Sequence, residues 1–326
     1  VTLADVALLA GVSAMTVSRA LRGERAVDPE LVRRAKAAAR QLGYEPDPAA
    51  RALAARHSSH VGVLVPMLSN TLFVDLLEAV QGHLRPAGFQ TLIGITHYDP
   101  HEEEQLLREQ LLHRPAGLLV TGLEQSPTAA RLIEGSGVPC VHMMALSDTR
   151  ASVGFSQTAA AAALTRHLLD RGRRRIAFAA AQLDPRTLQR LAGWREALAA
   201  AGLHDARLEW LNPAPSSLAL GAAMFEQIVA LAPPVDAIFF CNDDLAQGAL
   251  LAALRHGIEV PRQLAVVGFN DLPGSDQMVP PLTTVRTPRA EVGAAAARTL
   301  LSLMRGETPA ALSVDLGYEI VVRQSS

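Results

Sequence analysis

In the first 45 residues apolar positions recur at helical spacing. From residue 61 onward they come in short unbroken runs, separated by longer amphipathic stretches. In the opening run, VTLADVALLAGVSAMTVSRAL, Val6, Ala7 and Ala10 fall on one face of a helix. Val12 turns back inward, and Val17, Ala20 and Leu21 share one face of a second helix. Thr2, with Asp5 three residues on, predicts the first N-cap and Ser13 the second, while Gly11 supplies the turn between them. A third helix is predicted to start at Asp28-Pro29-Glu30, to run to Leu42 and to stop at Gly43. This packing leaves Ala14, Met15, Thr16, Ser18 and Arg19 on the outer face of the second helix. Small and hydrogen-bonding side chains followed by an arginine suit a recognition helix in the DNA major groove, although an ordinary helical hairpin has the same spacing.

Beyond a linker, the apolar runs predict strands at 61–65, 89–95, 118–121, 139–143 and 153–155, with helices at 72–85 and 101–113. The series then begins again. Helices at 159–171, 186–201, 218–231 and 244–256 alternate with strands at 175–180, 208–211, 235–241 and 264–269. A helix at 289–305 and a strand at 319–323 close the chain. Such alternation predicts parallel sheets in α/β layers. Two successive series predict two similar lobes with a cleft between them. The last helix is assigned to the first lobe, so that the chain crosses between lobes three times.

Composition adds a frame. The chain has 326 residues, 49% of them apolar, enough for a small domain and a bilobed one. The net charge of −2 hides an asymmetry: residues 1–57 hold nine basic residues against six acids, a net of +3, which leaves −5 for the rest. A basic head on an acidic body fits a phosphate-binding module joined to something else. Cys140 and Cys241 are isolated and suggest reduced thiols. No membrane span and no secretion signal are read, so a cytoplasmic protein is expected.

Candidate chemistry is sparse. G-x-G-x-x-G, Walker and G-x-S-x-G patterns are missing, and the ten histidines show no metal-ligand spacing. Cys140-Val-His142 lies in a strand run and reads as packing. No cofactor, metal or catalytic nucleophile is therefore expected. Polar residues do gather where open α/β lobes bind ligands, at the strand ends. They are Ser69, Asn70 and Phe73 after the first strand, and Asp184, Arg186 and Arg190 after the strand at 175–180. Asn242 and Asp243 follow Cys241, and Asn270 and Asp271 follow Phe269. Each has a structural alternative: Asn70 as a cap, Asp243 as the cap of a helix from Asp244, the arginines as solvated charges. In the linker, 46–57, AARALAAR is too short for a stable isolated helix. Leu53 either wedges between base pairs in the minor groove or packs as core; residues alone leave both open.

The runs TLADVALLAGVSAMTVSRAL and LGYEPDPAARALA closely resemble the LacI/GalR family of bacterial transcription regulators, and the resemblance extends over essentially the whole chain. Asp47 departs from it, because the family usually carries asparagine before its hinge helix. The resemblance implies an α/β fold in which an N-terminal helix-turn-helix domain (1–45) and a hinge helix (46–57) precede a two-lobed body (58–326) like that of periplasmic sugar-binding proteins. Lobe 1 is expected at about 58–157 plus 288–315, and lobe 2 at about 158–287 plus 316–326. It implies a repressor of carbohydrate catabolism. Met15 and Arg19 would lie near base edges, Ser13, Thr16 and Ser18 near phosphates, and Leu53 in the hinge helix. Arg22 and Arg51 extend the surface expected to meet DNA.

Arg190 in RLAGW, Asn242 in CNDDLA and Phe73 match effector-contacting positions of the family. The position of Asn270 is commonly aspartate in members that bind neutral sugars. Leu183-Asp184-Pro185-Arg186-Thr187 resembles the same segment of gluconate-type regulators. A sugar acid, gluconate or a keto-gluconate, is thus the expected effector, ahead of a neutral sugar or a purine. The expected partners are a near-palindromic double-stranded operator and a second copy of the chain. No heptad tail follows 319–323, so a coiled-coil tetramer is not expected. The competing classes are a solute-binding protein and a sugar-modifying enzyme.

Overall fold

The computed structural model describes residues 1–22, 27–45 and 59–326, with Arg22 described by its backbone alone. The linker expected at 46–57, with Arg51 and Leu53, lies outside the described residues. The chain divides into two compact units, Val1–Ser59 and His60–Ser326.

In the first unit, helices α1 (Leu3–Ala10), α2 (Ala14–Arg22) and α3 (Pro29–Leu42) form where local signals place them. Thr2 and Asp5 make a reciprocal capping box. The Ser13 hydroxyl accepts from the Thr16 amide at 3.1 Å, and Asp28 accepts from the Glu30 amide at 2.7 Å. Gly11 sits at φ 61°, in the left-handed region. Here the Arg34 guanidinium of α3 donates to the Ala10 carbonyl at 2.5 Å, pinning the turn from across the unit. The core is built of small side chains: Val6, Ala7, Ala10, Val17, Ala20, Ala35, Ala38 and Ala39.

The second unit opens with β1 (His60–Val65), α4 (Thr71–Leu84), β2 (Gln90–Ile95), α5 (Pro100–Leu112), β3 (Gly117–Thr121), α6 (Pro127–Ser136), β4 (Cys140–Met143) and β5 (Ser152–Gly154). Then follow α7 (Gln157–Asp170), β6 (Ile176–Ala181), α8 (Pro185–Ala200), β7 (Glu209–Asn212), α9 (Leu218–Val229), β8 (Ala237–Phe240), α10 (Asp243–Arg255) and β9 (Ala265–Val267). The chain ends with β10 (Thr284–Arg286), α11 (Arg289–Met304), β11 (Ser313–Asp315) and β12 (Glu319–Val321).

One parallel sheet has the order β11-β5-β4-β3-β1-β2 and a second has the order β7-β6-β8-β9. β10 and β12 pair antiparallel beside the second sheet, to which Thr283 bridges at Val267. The chain leaves the first sheet after β5, returns to its layer through α11, which packs on α4, and leaves again between β11 and β12. β6, IAFAAA, is buried throughout, as expected of a strand covered on both faces. α9 and α10 cross so closely that a Cβ on Gly221 or Gly248 would stand about 2 Å from the partner backbone.

Three elements, α6, β10 and β11, were not expected. Among these, β10 and β11 have only three residues each and depend on partners distant in sequence. A further correction concerns α10. Asn242 caps it, accepting from the Leu245 amide at 3.1 Å, and the helix starts at Asp243. The Asp243 carboxylate is fully buried and accepts from the Leu272 amide (2.7 Å) and the Ser275 (2.9 Å) and Thr284 (2.7 Å) hydroxyls. It thereby fastens α10 to the segment that leads back to the first lobe.

Burial raises the Asp243 pKa to about 6, against the lowering effect of its three hydrogen bonds. An unfolded aspartate titrates near about 3.9, so the folded state holds this proton more tightly. The associated stability is present below about pH 4 and is lost as pH rises through about 6. We predict that the stability of the parent protein relative to Asp243→Asn falls by up to about 3 kcal/mol between those pH values. Denaturant melts across the range test this, and a pH-independent difference contradicts it.

Candidate functional site

Two surfaces collect the expected site residues. On α2 of the first unit, Ser13, Ala14, Met15 and Arg19 are exposed, while Thr16 and Ser18 are half-buried. Met15 keeps 62% of its surface on this face. The Ser13 and Thr16 hydroxyls lie 2.9 Å apart. The cap thus fixes the start of the helix and orients the hydroxyls together.

The second surface lies between the lobes of the second unit, where the strand ends of both sheets face each other. Eight non-glycine residues have positive φ among the described residues. Six of them, His97, Tyr98, Gln182, Leu183, Asn270 and Asp271, lie just after strands, and Tyr98, Gln182 and Leu183 line the cavity between the lobes. Strained backbone concentrated in one place is the usual mark of a site.

Arg190, on the second turn of α8, is 5% exposed. Its Nε donates to Gln157 Oε1 at 2.9 Å, Nη1 to the Cys241 carbonyl at 2.6 Å and Nη2 to Asn270 Oδ1 at 3.3 Å. The guanidinium lies 3.9 Å from the Phe269 ring centroid. All three acceptors are neutral, and burial lowers the arginine's pKa.

Arg186, one turn earlier, is answered differently. It donates to the Tyr98 hydroxyl at 3.0 Å and stands 3.5 Å from Asp184, near the rings of Phe73 and Tyr98. Burial opposes its charge, but Tyr98 and Asp184 outweigh that and raise its pKa. Tyr98 follows β2 and Arg186 belongs to α8, so this contact spans the lobes, as does Gln189 donating to Glu124 at 3.2 Å.

Beside Arg186 a cavity of about 300 Å³ is walled by Tyr98, Glu103, Glu124, Gln182 and Asp184. Burial, reinforced by Glu104 and Glu124, pushes Glu103 up to about 7 against a Gln125 hydrogen bond. The cavity therefore sets one guanidinium, that of Arg186, among several acceptors.

Phe73, Asp184, Arg186, Arg190 and Asn270 thus come together. Asn70 caps α4, accepting from the Leu72 amide at 2.9 Å, and Asn242 caps α10 while bonding Ser216. Ser69 donates to the Met67 sulfur and makes no contact with the arginines. Tyr98, Gln157 and Glu103 were missed. Gln157, at the first turn of α7, is 1% exposed, and its amide nitrogen has no partner among the described residues. The triplet His97-Tyr98-Asp99 after a strand was the available signal for Tyr98. No cluster of three or more His, Cys, Asp or Glu side chains that could hold a metal is present among the described residues.

Comparison with known proteins matches residues 2–47 to the bacterial regulatory proteins of the lacI family and residues 165–326 to the periplasmic binding protein-like domain. The chain is 54% identical over 327 residues to the HTH-type transcriptional regulator GntR of Pseudomonas aeruginosa, covering 100% of this chain and 95% of that one. It is 32% identical to the HTH-type transcriptional regulator IdnR of Escherichia coli, covering 98% and 97%. Among solved structures, the transcription regulator GntR from Chromobacterium violaceum superposes with a TM-score of 0.80 at 51% identity, over 82% of this chain and 99% of that one. The lac repressor dimer bound to operator and the anti-inducer ONPF gives 0.87 at 26% identity, over 100% and 98%.

The Arg186–Tyr98 contact generates a prediction. Tyr98→Phe and Arg186→Ala should each destabilise the protein, and the double variant should lose less than the sum, with a coupling of about 0.5–3 kcal/mol. A urea-unfolding cycle measures it, and strict additivity would show the lobes are not joined there in solution.

Proposed function

Because the chain belongs to the LacI family of bacterial regulatory proteins, we propose that this DNA-binding transcriptional repressor takes as effector a sugar acid, gluconate or a keto-gluconate, held between its two lobes. The observation that carries the effector class is Arg190. It is a buried guanidinium whose hydrogen bonds all go to neutral groups. A buried cation without a carboxylate is costly and favours an anion beside it. Of its five N–H bonds, those not used on these acceptors remain for a ligand carboxylate, and Gln157 adds its unpartnered amide. A polyhydroxy acid matches the guanidinium and the acceptors together. Its carboxylate suits the arginine, and its hydroxyls suit Glu103, Glu124, Gln182 and Asp184. The acidic wall is also the feature that favours a neutral sugar, the second reading.

On the DNA side, Met15 and Arg19 of the exposed α2 face read base edges and Ser13, Thr16 and Ser18 lie near phosphates, with Ala14 and Arg22 also among the residues assigned to DNA. Arg51 and Leu53, also read as meeting DNA, lie outside the described residues. Two chains bind a near-palindromic operator, a reading supported by the similarity to the lac repressor dimer bound to operator. Effector and operator affect each other's affinity by the same factor. The protein works in the cytoplasm, where such DNA lies; no single helix among the described residues is long and apolar enough to cross a membrane.

Calorimetry with gluconate and glucose tests the effector class. Gluconate should bind more tightly, and Arg190→Ala should weaken it by about 2–5 kcal/mol, the loss typical of breaking a buried charge pair. Asn270→Asp gives Arg190 a resident carboxylate and should also weaken gluconate, an effect that eases at low pH. Tighter binding of glucose, or full gluconate affinity in Asn270→Asp, moves the assignment to a neutral sugar. For the operator, Arg19→Ala should cost about 1–3 kcal/mol on specific DNA and little on random DNA. Equal losses on both, read by gel shift or fluorescence anisotropy, would mark Arg19 as a phosphate contact.

A further inference from the structure

Away from the cleft, the first lobe holds a cavity of about 500 Å³, enclosed by α6, the start of β4, residues 149–151 and the end of α11. Ligand pockets are usually of this size and mainly apolar, with a few placed polar groups. Ala130, Ile133, Val138 and Leu303 supply the apolar wall. Cys140 and His142, two apart on β4, share the face that looks into it.

His142 is the polar group that sets the chemistry. It is 3% exposed, and its Nδ1 lies 2.8 Å from the Gly122 carbonyl. A carbonyl only accepts, so Nδ1 carries the proton and Nε2 presents a lone pair. His142 lines the cavity, and no hydrogen bond is made to its Nε2 among the described residues. Burial lowers the imidazole's pKa, aided by the nearby Arg150, and keeps the ring neutral. Arg150 itself is paired with Glu134 at 3.1 Å on the rim. The cavity thus offers an acceptor inside and a neutralised pair at its mouth.

We propose that this cavity is a second ligand site, separate from the interlobe cleft, for a small, mainly apolar molecule carrying a hydroxyl donor, of the phenol class. The hydroxyl donates to His142 Nε2, and the ring covers Ile133, Val138 and Leu303. An apolar molecule without a donor leaves Nε2 dry and unpaired, and a carboxylate has no proton to give it. The site also has a short path to the cleft. Through Nδ1, His142 holds Gly122, and Gly122 itself lines the cleft cavity together with Glu124 and Gln125.

The test uses the full chain and two fluorescent probes of the same ring, 2-naphthol and 2-methoxynaphthalene. 2-Naphthol should bind about tenfold more tightly, as one satisfied hydrogen bond implies. His142→Phe should erase that preference while the methoxy compound still binds. Ile133→Trp fills the cavity from α6 without touching His142 and should abolish binding of both, which keeps the test decisive if the His142 variant does not fold. Excess gluconate should displace neither probe. No binding of 2-naphthol, equal affinity of the two probes, a preference that survives His142→Phe, binding that survives Ile133→Trp, or displacement by gluconate overturns the proposal.

Discussion

A guanidinium taken out of water must be met on every side, and in this molecule Arg190 draws three separate stretches of chain to meet it. Gln157 is the first residue of the helix that follows the first crossing between lobes. The Cys241 carbonyl directly follows β8, one of the two inner strands of the second sheet. Asn270 begins the segment that leads back to the first lobe. None of these is a carboxylate, so the arrangement positions the arginine without neutralising it. A buried pair already complete would gain little from an added ligand. One left incomplete is the basis of the effector class proposed above.

The strain beside Asn270 extends this linkage outward. Asn270 has φ 111° and Asp271 φ 50°, and both carbonyls accept from Arg289 of α11. The same arginine is paired with Asp75 of α4 in the first lobe. Asp271 in turn holds Arg286 on β10 and Arg323, two residues beyond β12. Groups in contact thus run from Asn270 through Arg289 to Asp75 on the packed pair α4 and α11.

Much of the fold is legible in the sequence because its signals are local. Thr2 with Asp5, Asp28-Pro29 and Gly43 fix helix ends from side chains within three residues. Alternating apolar runs identify the parallel strands, and the order of polar loops brings Asp184, Arg186, Arg190 and Asn270 into one list before any coordinates. What is not legible is which partner each polar group takes. Asn242 and Asp243 are neighbours of similar chemistry; one caps a helix and the other is buried under Thr284, and only the tertiary neighbours decide. Tyr98 and Gln157 acquire meaning from Arg186 and Arg190, 88 and 33 residues away. The strand β11 has no amphipathic signature of its own and exists because β5 offers an edge.

The alanine-built interior of the first unit has an evolutionary consequence. Its helices touch through methyl groups of Ala7, Ala10, Ala20, Ala35, Ala38 and Ala39, so almost any larger residue there would force the helices apart. Ala14, Met15 and Arg19 are exposed and lie outside that interior. The interior and most of the positions proposed to read DNA are thus different residues, Ser13 excepted, whose hydroxyl also caps α2. Mutation can redraw the exposed face one residue at a time while the frame presenting it stays fixed, and the head can acquire new targets without first losing its fold.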